Sequence, residues 1–585
     1  LDDKQQQQKQ QRPKRKFQWL IIFNFLIDFS YLLEKCLPEL LQFHRVIVFY
    51  GVTGADDAVA MEQWKGLLVG TGNTVEFIQL IPSDPPRSRT NPLPIKIPYG
   101  VHHTKMFLVG YEDEKGVSHC RVVVHTANLL LGDVEYKAQG AYCQDFPLKQ
   151  TQQHNKDDKI NNDNKKSGAV VNPYKRKRVD ANEKQKTTNS DRGWSSEEDG
   201  ENDIPFEEDL VTYLESYRYL TRQSWCSTSS SSKSGCLSNR PMSWLQLIRQ
   251  YDYSRAYAVL IPSVPGRHAR SAYHNYGYLK LRRAIVEWVC PHLLSNKQSS
   301  SSSSSRSPLL CQFSSIGSLS EKWLNQFISA LDSLSTRDVD PINNNDTSGR
   351  KKNGKVKQHH TPLSSRMKII WPTMDEIRRS IEGYQGGGSV PGKIKNLEKN
   401  FLLPLYHRWF SHNTRSGGGG GGCGSDPLRM ARHVPHIKTF VQPSSSASSS
   451  IEWLVLTSHN LSTAAWGQLQ QKSDSYTANE KVLFIRSWEL GVFISPASLA
   501  NAMAHRNGAA GSNEICISPY TGISGGGNSV INVDSDDEDD NENDAPKAVV
   551  PLPFDMNPVP YDDNDVPWAC DRSCSVPDSF GCIMP

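Results

Sequence analysis

Residues 99–140 read YGVHHTKMFLVGYEDEKGVSHCRVVVHTANLLLGDVEYKAQG. MetPheLeuVal at 106–109 and ArgValValValHis at 121–125 have strand composition, and Glu112–Ser118, with Gly116, reads as the turn between them. Such a hairpin returns His103, Lys105 and Asn128 to one end. The pattern recurs downstream, where HVPHIKTFVQP (433–443) is followed, after a Ser-rich insert, by IEWLVLTSHNLSTAAWG (451–467). Lys105 precedes Asn128 by 23 positions and Lys438 precedes Asn460 by 22, with the asparagines in HisThrAlaAsnLeu and ThrSerHisAsnLeu. A single histidine beside an apolar strand is usually a satisfied core residue. Two His-x-Lys, strand, turn, strand, Asn units in register are a site.

These residue types belong together in phosphoryl transfer. A phosphodiester is anionic and its transition state carries charge on the non-bridging oxygens, which two lysines and two asparagine amides can hold without a metal. Of two imidazoles, one can attack phosphorus while the other protonates the leaving group and then activates water. No cofactor is expected.

The paired blocks resemble the phospholipase D superfamily, and the details resemble its tyrosyl-DNA phosphodiesterase branch. Phospholipases of the superfamily carry an aspartate where this chain has Gly110 and Pro443. Matching blocks are LysAlaGlnGly (137–140), PheSerSerIleGlySerLeu (313–319), GlyTyrGlnGlyGlyGlySerValPro (383–391), ProHisIleLys (435–438), TrpGluLeuGlyVal (488–492) and ProValProTyr (558–561). The resemblance implies an α/β fold of two similar phospholipase D-like α-β-α domains, with a pseudo-twofold active site at their interface. It implies His103 as nucleophile and His436 as general acid/base; the residues alone leave the two interchangeable. Gln139 and Glu489 match the partners that fix the histidine tautomers, with Glu489 expected to favour a protonated His436. By the same resemblance Phe25 and Tyr99 stack on DNA, Ser315, Ser318 and Lys399 lie along its backbone, and Pro391 and Ser462 are further substrate-binding positions. Trp568 falls on the peptide side, where ProTrpAlaCys departs from the family's aromatic near Cys570. For Tyr99, a ring filling the strand end is an equal alternative.

The implied activity is hydrolysis of 3′-phosphotyrosyl, topoisomerase-derived and related 3′-end adducts on DNA through a covalent phosphohistidine. The alternatives are a general superfamily nuclease or lipid phosphodiesterase, and a noncatalytic DNA-binding relative, against which both complete triads argue. Expected partners are single-stranded or nicked double-stranded DNA with a 3′ adduct and a topoisomerase I-derived peptide, with no membrane and a monomeric chain.

Upstream, the chain opens on Leu1 and a Gln-rich stretch, reading as a fragment with a disordered start over 1–16. Residues 14–33 imitate a signal peptide, but Asn24 and Asp28 interrupt the apolar run, and Phe23–Leu33 reads instead as a core helix continuing amphipathically to Glu39. ArgValIleValPheTyrGly (45–51) and ThrValGluPheIleGlnLeuIle (74–81) predict parallel strands with a helix between them. A first domain over 17–253 holds a polar insert at about 149–205, and AlaTyrAlaValLeuIleProSerValProGly (256–266) opens a second over 254–585. Low-complexity inserts are expected at about 295–307, 335–366, 415–426 and 505–546.

The net charge of +4 understates the basic surface: 534–544 holds eight acidic residues, leaving +12 on the remainder, which suits a phosphate-lined groove. TyrLysArgLysArgVal (174–179) and, more weakly, ProLysArgLys (13–16) read as import signals, so a nuclear location is expected. Twelve cysteines without a regular framework predict free thiols, and Cys570, Cys574 and Cys582 lack the fourth ligand of a metal site.

Overall fold

A computed structural model describes residues 15–52, 57–69, 73–84, 95–149, 204–217, 244–291, 306–332, 361–410, 430, 432–445, 450–471, 481–507, 515–519 and 547–585. The expected import signal at 174–179 and most of the expected inserts lie outside these residues, as does the start of the one at 13–16.

The first sheet is built from β1 (Lys16–Leu26), β2 (Arg45–Val52), β3 (Thr74–Gln79), β4 (Met106–Glu112), β5 (Ser118–His125) and β6 (Ala141–Pro147). Helix α1 (Asp57–Val69) connects β2 to β3. The strand order is β3-β2-β1-β4-β5-β6. β1, β2 and β3 run parallel, whereas β4, β5 and β6 join antiparallel.

Here one expectation is corrected. LysPheGlnTrpLeuIleIlePheAsnPheLeu is a strand at the middle of the sheet, and only 29–36 and 38–42 form short helical turns. The physical reason is burial on both faces. Leu20 and Ile22 pack with Trp64 of α1, Phe29 and Val48, while Trp19, Ile21 and Phe23 pack on the other face with Phe49, Tyr217 and Trp244. A strand covered on both sides shows a continuous apolar run instead of alternation, and over a short window that run imitates a buried helix. The core role expected for Phe23 holds, since its ring is fully buried.

The second sheet repeats the plan. Its strands are β7 (Val259–Ser263), β8 (Leu309–Gln312), β9 (Met367–Ile370), β10 (Tyr406–His407), β11 (Thr439–Pro443), β12 (Ile451–Thr457), β13 (Glu489–Ile494), β14 (Cys516–Pro519) and β15 (Lys547–Val550). The path β10-β9-β8-β11-β12-β13 matches β3-β2-β1-β4-β5-β6 in chain order and in the sense of each pairing, with β7 added beside β13. The sequence repeat of His-x-Lys and Asn is therefore a repeat of topology: each motif brackets the antiparallel hairpin that follows three parallel strands. β14 lies inside a stretch expected to be an insert; it pairs with β15, and its Ile517 meets Ile451 of β12. Its four residues, CysIleSerPro, are too short a run to stand out beside the low-complexity sequence around them.

The two sheets approach closely at Gly140, where a Cβ would lie 2.7 Å from Ile437 Cδ1 and 2.8 Å from Leu456 Cδ1. At the far end, GlyTyrGlnGlyGlyGlySer (383–389) wraps the Trp568 ring, and a Cβ at Gly387 would overlap that indole. Gly387→Ala should accordingly cost about 1–3 kcal/mol of stability through overpacking. Urea unfolding would show it as a lowered midpoint, and an unchanged midpoint would contradict the packing described.

Candidate active site

Each hairpin presents its motif at one end, and each histidine is seated by backbone from the other half. The His103 amide donates to the Trp488 carbonyl at 2.9 Å and the Trp488 amide to the Val101 carbonyl at 3.0 Å. Reciprocally, the amides of His436 and Ile437 donate to the Ala138 carbonyl at 3.0 and 2.7 Å, and Val434–Pro435 pairs with Lys137–Ala138. Residues 488 and 138 each precede a side chain that reaches the histidine so seated. Lys105 and Lys438, both fully buried, each donate to the carbonyl of the histidine two residues before.

His103 is 9% exposed, and its Nδ1 lies 3.0 Å from the Ser458 carbonyl and 2.8 Å from Glu489 Oε2. A carbonyl only accepts, so Nδ1 carries the hydrogen, and in the neutral ring Nε2 keeps its lone pair. The Ser458 hydroxyl donates to Glu489 Oε2 at 2.6 Å and holds the carboxylate in place. His436 is bound differently. Its Nδ1 is 3.2 Å from Gln139 Nε2 and 3.3 Å from Gln139 Oε1, and Gln139 is itself held by the Thr126 hydroxyl at 2.8 Å and the Asp133 carbonyl at 3.0 Å. Both expected supporting residues are thus present, but one detail is corrected: Glu489 serves His103, not His436, because β13 delivers it to the side of the site where Trp488 binds His103.

Burial lowers both imidazole pKa values well below the usual range, and the two lysine charges lower them further. Ser458 and Glu489 reaching His103, and Gln139 reaching His436, bring the two motifs to one site. Both rings are therefore neutral near pH 7. Burial also pushes Glu489 up to about 7 and Lys105 down to about 8, and Lys438 lies well below its ordinary value. Because a lysine is cationic only below its pKa, the anion-holding charge of Lys105 is present at neutral pH and lost as pH rises past about 8. We expect kcat/KM to fall above about pH 8; a flat profile to pH 10 would show that this charge is not needed.

The asparagines are oriented in opposite ways. Asn460 Oδ1 accepts from the Ser315 amide at 2.9 Å and the Ser314 amide at 3.2 Å, so its amide nitrogen is the free end. Asn128, in contrast, donates through Nδ2 to Asp133 Oδ2 at 2.7 Å. Asp133, Ser458 and Thr126 do not stand out in the sequence. Only the acid five positions past Asn128, in the first turn of helix α2 (Leu131–Tyr136), points to Asp133.

Around this centre the structure sorts the remaining expected positions. The half-buried ring of Phe25 lies edge-on to His103 at 5.3 Å and under Lys105 Nζ at 5.8 Å. Tyr99 is 87% exposed and has φ 60, so it does not fill the strand end; a left-handed tyrosine with an exposed ring is strained backbone placed where a partner can reach it. Ser318 is exposed, and Lys399 Nζ ties its loop down through the Leu319 carbonyl at 2.6 Å. The Ser462 hydroxyl caps the short helix Thr463–Trp466, accepting from Ala465 N. Pro391 is exposed. Trp568 is a correction: at 1% exposure, with Nε1 donating to the Val390 carbonyl at 3.0 Å, it packs the glycine loop and offers no face to a peptide. The neighbouring histidines are core residues. His102 is held by the Asn24 carbonyl and Tyr217, and His459 by Thr457 and Ser263. Among the described residues, no group of three or more His, Cys, Asp or Glu side chains could hold a metal, and Cys570, Cys574 and Cys582 are free thiols.

A family model described as tyrosyl-DNA phosphodiesterase matches residues 11–562. The chain is 29% identical over 579 residues to tyrosyl-DNA phosphodiesterase 1 of Arabidopsis thaliana, covering 97% of this chain and 71% of that protein. It is 28% identical to a probable tyrosyl-DNA phosphodiesterase of Caenorhabditis elegans, covering 82% and 76%. Its fold matches the crystal structure of the yeast tyrosyl-DNA phosphodiesterase with a TM-score of 0.52 at 15% identity, over 95% of this chain and 94% of that one.

Proposed function

Because this chain belongs to the tyrosyl-DNA phosphodiesterase family, we propose that it hydrolyses the phosphodiester joining a tyrosyl residue to a DNA 3′ end, through a covalent intermediate on His103. The observation that carries the roles is the difference between the two imidazoles. His103 is locked by a carbonyl and a carboxylate with its Nε2 lone pair free, which suits a nucleophile. His436 rests on a side-chain amide that offers both a donor and an acceptor, which suits a group that alternates between acid and base.

In the first step His103 Nε2 bonds to phosphorus, the bond from phosphorus to the tyrosyl oxygen breaks, and that oxygen takes the Nε2 proton of His436. The phosphorylated imidazole is cationic, and Glu489 beside its Nδ1–H stabilises it. In the second step His436 removes a proton from water, the hydroxide bonds to phosphorus, and the P–N bond breaks to leave a 3′ phosphate and free His103. Lys105, Lys438 and the free amide nitrogen of Asn460 hold the non-bridging oxygens. A bound phosphodiester also brings the negative charge that favours a proton on His436, against the opposition of burial and the lysines.

The DNA strand, single-stranded or nicked, with its topoisomerase-derived peptide, would lie over Phe25, Tyr99, Ser315, Ser318, Pro391, Lys399 and Ser462. A nuclear location, supported by the basic cluster at 174–179, and a monomeric chain complete this reading. Among the described residues no helix is long and apolar enough to cross a membrane. The test offers the chain three substrates: a 3′-phosphotyrosyl oligonucleotide, a plain oligonucleotide and phosphatidylcholine. Release of tyrosine and a 3′ phosphate from the first alone is expected; preference for either of the others would establish the nuclease or the lipase reading instead. Since lysines and amides neutralise the phosphate, cleavage should persist within about twofold in excess EDTA. Full loss restored by Mg²⁺ would contradict it.

A further inference from the structure

The reaction requires a proton on His436, yet burial and the cations Lys438, Lys105 and Lys137 all oppose it. Glu489 is committed to the other imidazole. One carboxylate does face His436. Asp133, 5% exposed, places Oδ2 3.7 Å from His436 Nδ1, a separation too long for a hydrogen bond but within reach of charge attraction in a buried site. The same oxygen accepts from Asn128 Nδ2 at 2.7 Å and from the Asn128 amide at 3.2 Å. These bonds fix which end of the Asn128 side chain is the donor, and its Oδ1 is left buried without a partner. The Asp133 carbonyl also holds Gln139, the other support of His436. Asp133 thus faces His436 and at the same time bonds Asn128 and, through its carbonyl, Gln139.

Building on the activity proposed above, we propose that Asp133 is a positioning residue for leaving-group protonation. Its negative charge offsets the lysines at Nδ1 of His436, so that the ring can hold the proton it delivers through Nε2. With the carboxylate removed, the acid is weaker in supply while His103, Lys105 and Lys438 keep their places.

A residue that acts through the acid affects only leaving groups that need one, which separates this role from a scaffolding one. The experiment measures single-turnover release from two oligonucleotides, one with a 3′-phosphotyrosyl end and one with a 3′-(4-nitrophenyl) phosphodiester, whose phenolate departs unprotonated. For Asp133→Asn, and for Asp133→Ser run in parallel in case one fails to fold, release of tyrosine is expected to fall roughly 10- to 100-fold. Nitrophenolate release should change by less than about threefold, and Asp133→Glu, which keeps the charge, should restore most of the tyrosine rate. Equal losses on both substrates would make Asp133 a scaffold for Asn128 and overturn the assignment, as would no loss on either. Wild-type protein that cleaves neither substrate would overturn the underlying activity, and the assignment with it.

Discussion

His103→Ala is expected to lower turnover of a 3′-phosphotyrosyl oligonucleotide by about 10⁴-fold or more, with no DNA left on the protein. The size follows from the site's geometry: no other described group combines a free imidazole lone pair, a fixed tautomer and two flanking lysines. His436 does not substitute, because its Nδ1 rests on Gln139 and its seat lies across the site. The substitution strands Glu489 and the Ser458 carbonyl, so folding must be checked by circular dichroism. A folded His103→Ala protein with turnover within tenfold of wild type would end the nucleophile assignment.

His436→Asn is expected to fail differently. Tyrosine is a fair leaving group, so the first step proceeds slowly without full acid help, but the phosphohistidine then lacks a base to activate water. Steady-state turnover should drop by roughly 10²–10⁴-fold while one equivalent of DNA accumulates on the protein. A denaturing gel with 5′-labelled substrate reads this directly: a band at the mass of protein plus DNA, absent in His103→Ala. Turnover lost without any such band would place His436 in the first step alone.

Much of this site is legible in the sequence, and the reason is topological. Both motifs bracket a β-hairpin that follows three parallel strands, so their spacing is set by strand and turn lengths and survives as a sequence repeat of 23 and 22 positions. Gln139 and Glu489 are also visible, because each lies at or just before the start of the strand after its hairpin. Which histidine each one serves is not, since β13 and the Lys137–Ala138 bridge exchange supports between halves and only the folded chain shows that crossing. The burial of Trp568 depends on a glycine loop 181 positions away, beyond the reach of local pattern. β1 imitates a helix for a related reason: its partners β2 and β4 cover its edges and two separate apolar layers cover its faces, erasing the alternation that identifies a strand. Asp133 is hidden because an acid in a first helical turn is ordinary, and its nearness to His436 comes from a different half of the chain.

The central claim is that a covalent bond to phosphorus forms at His103. The most direct measurement traps His436→Asn with a 3′-phosphotyrosyl oligonucleotide, digests the protein and DNA under conditions that spare P–N bonds, and maps the modified peptide by mass spectrometry. The predicted result is a nucleoside phosphate on His103, within the peptide carrying ValHisHisThrLys at 101–105. A modification on any other residue, or tyrosine released with no modified peptide at all, would contradict it.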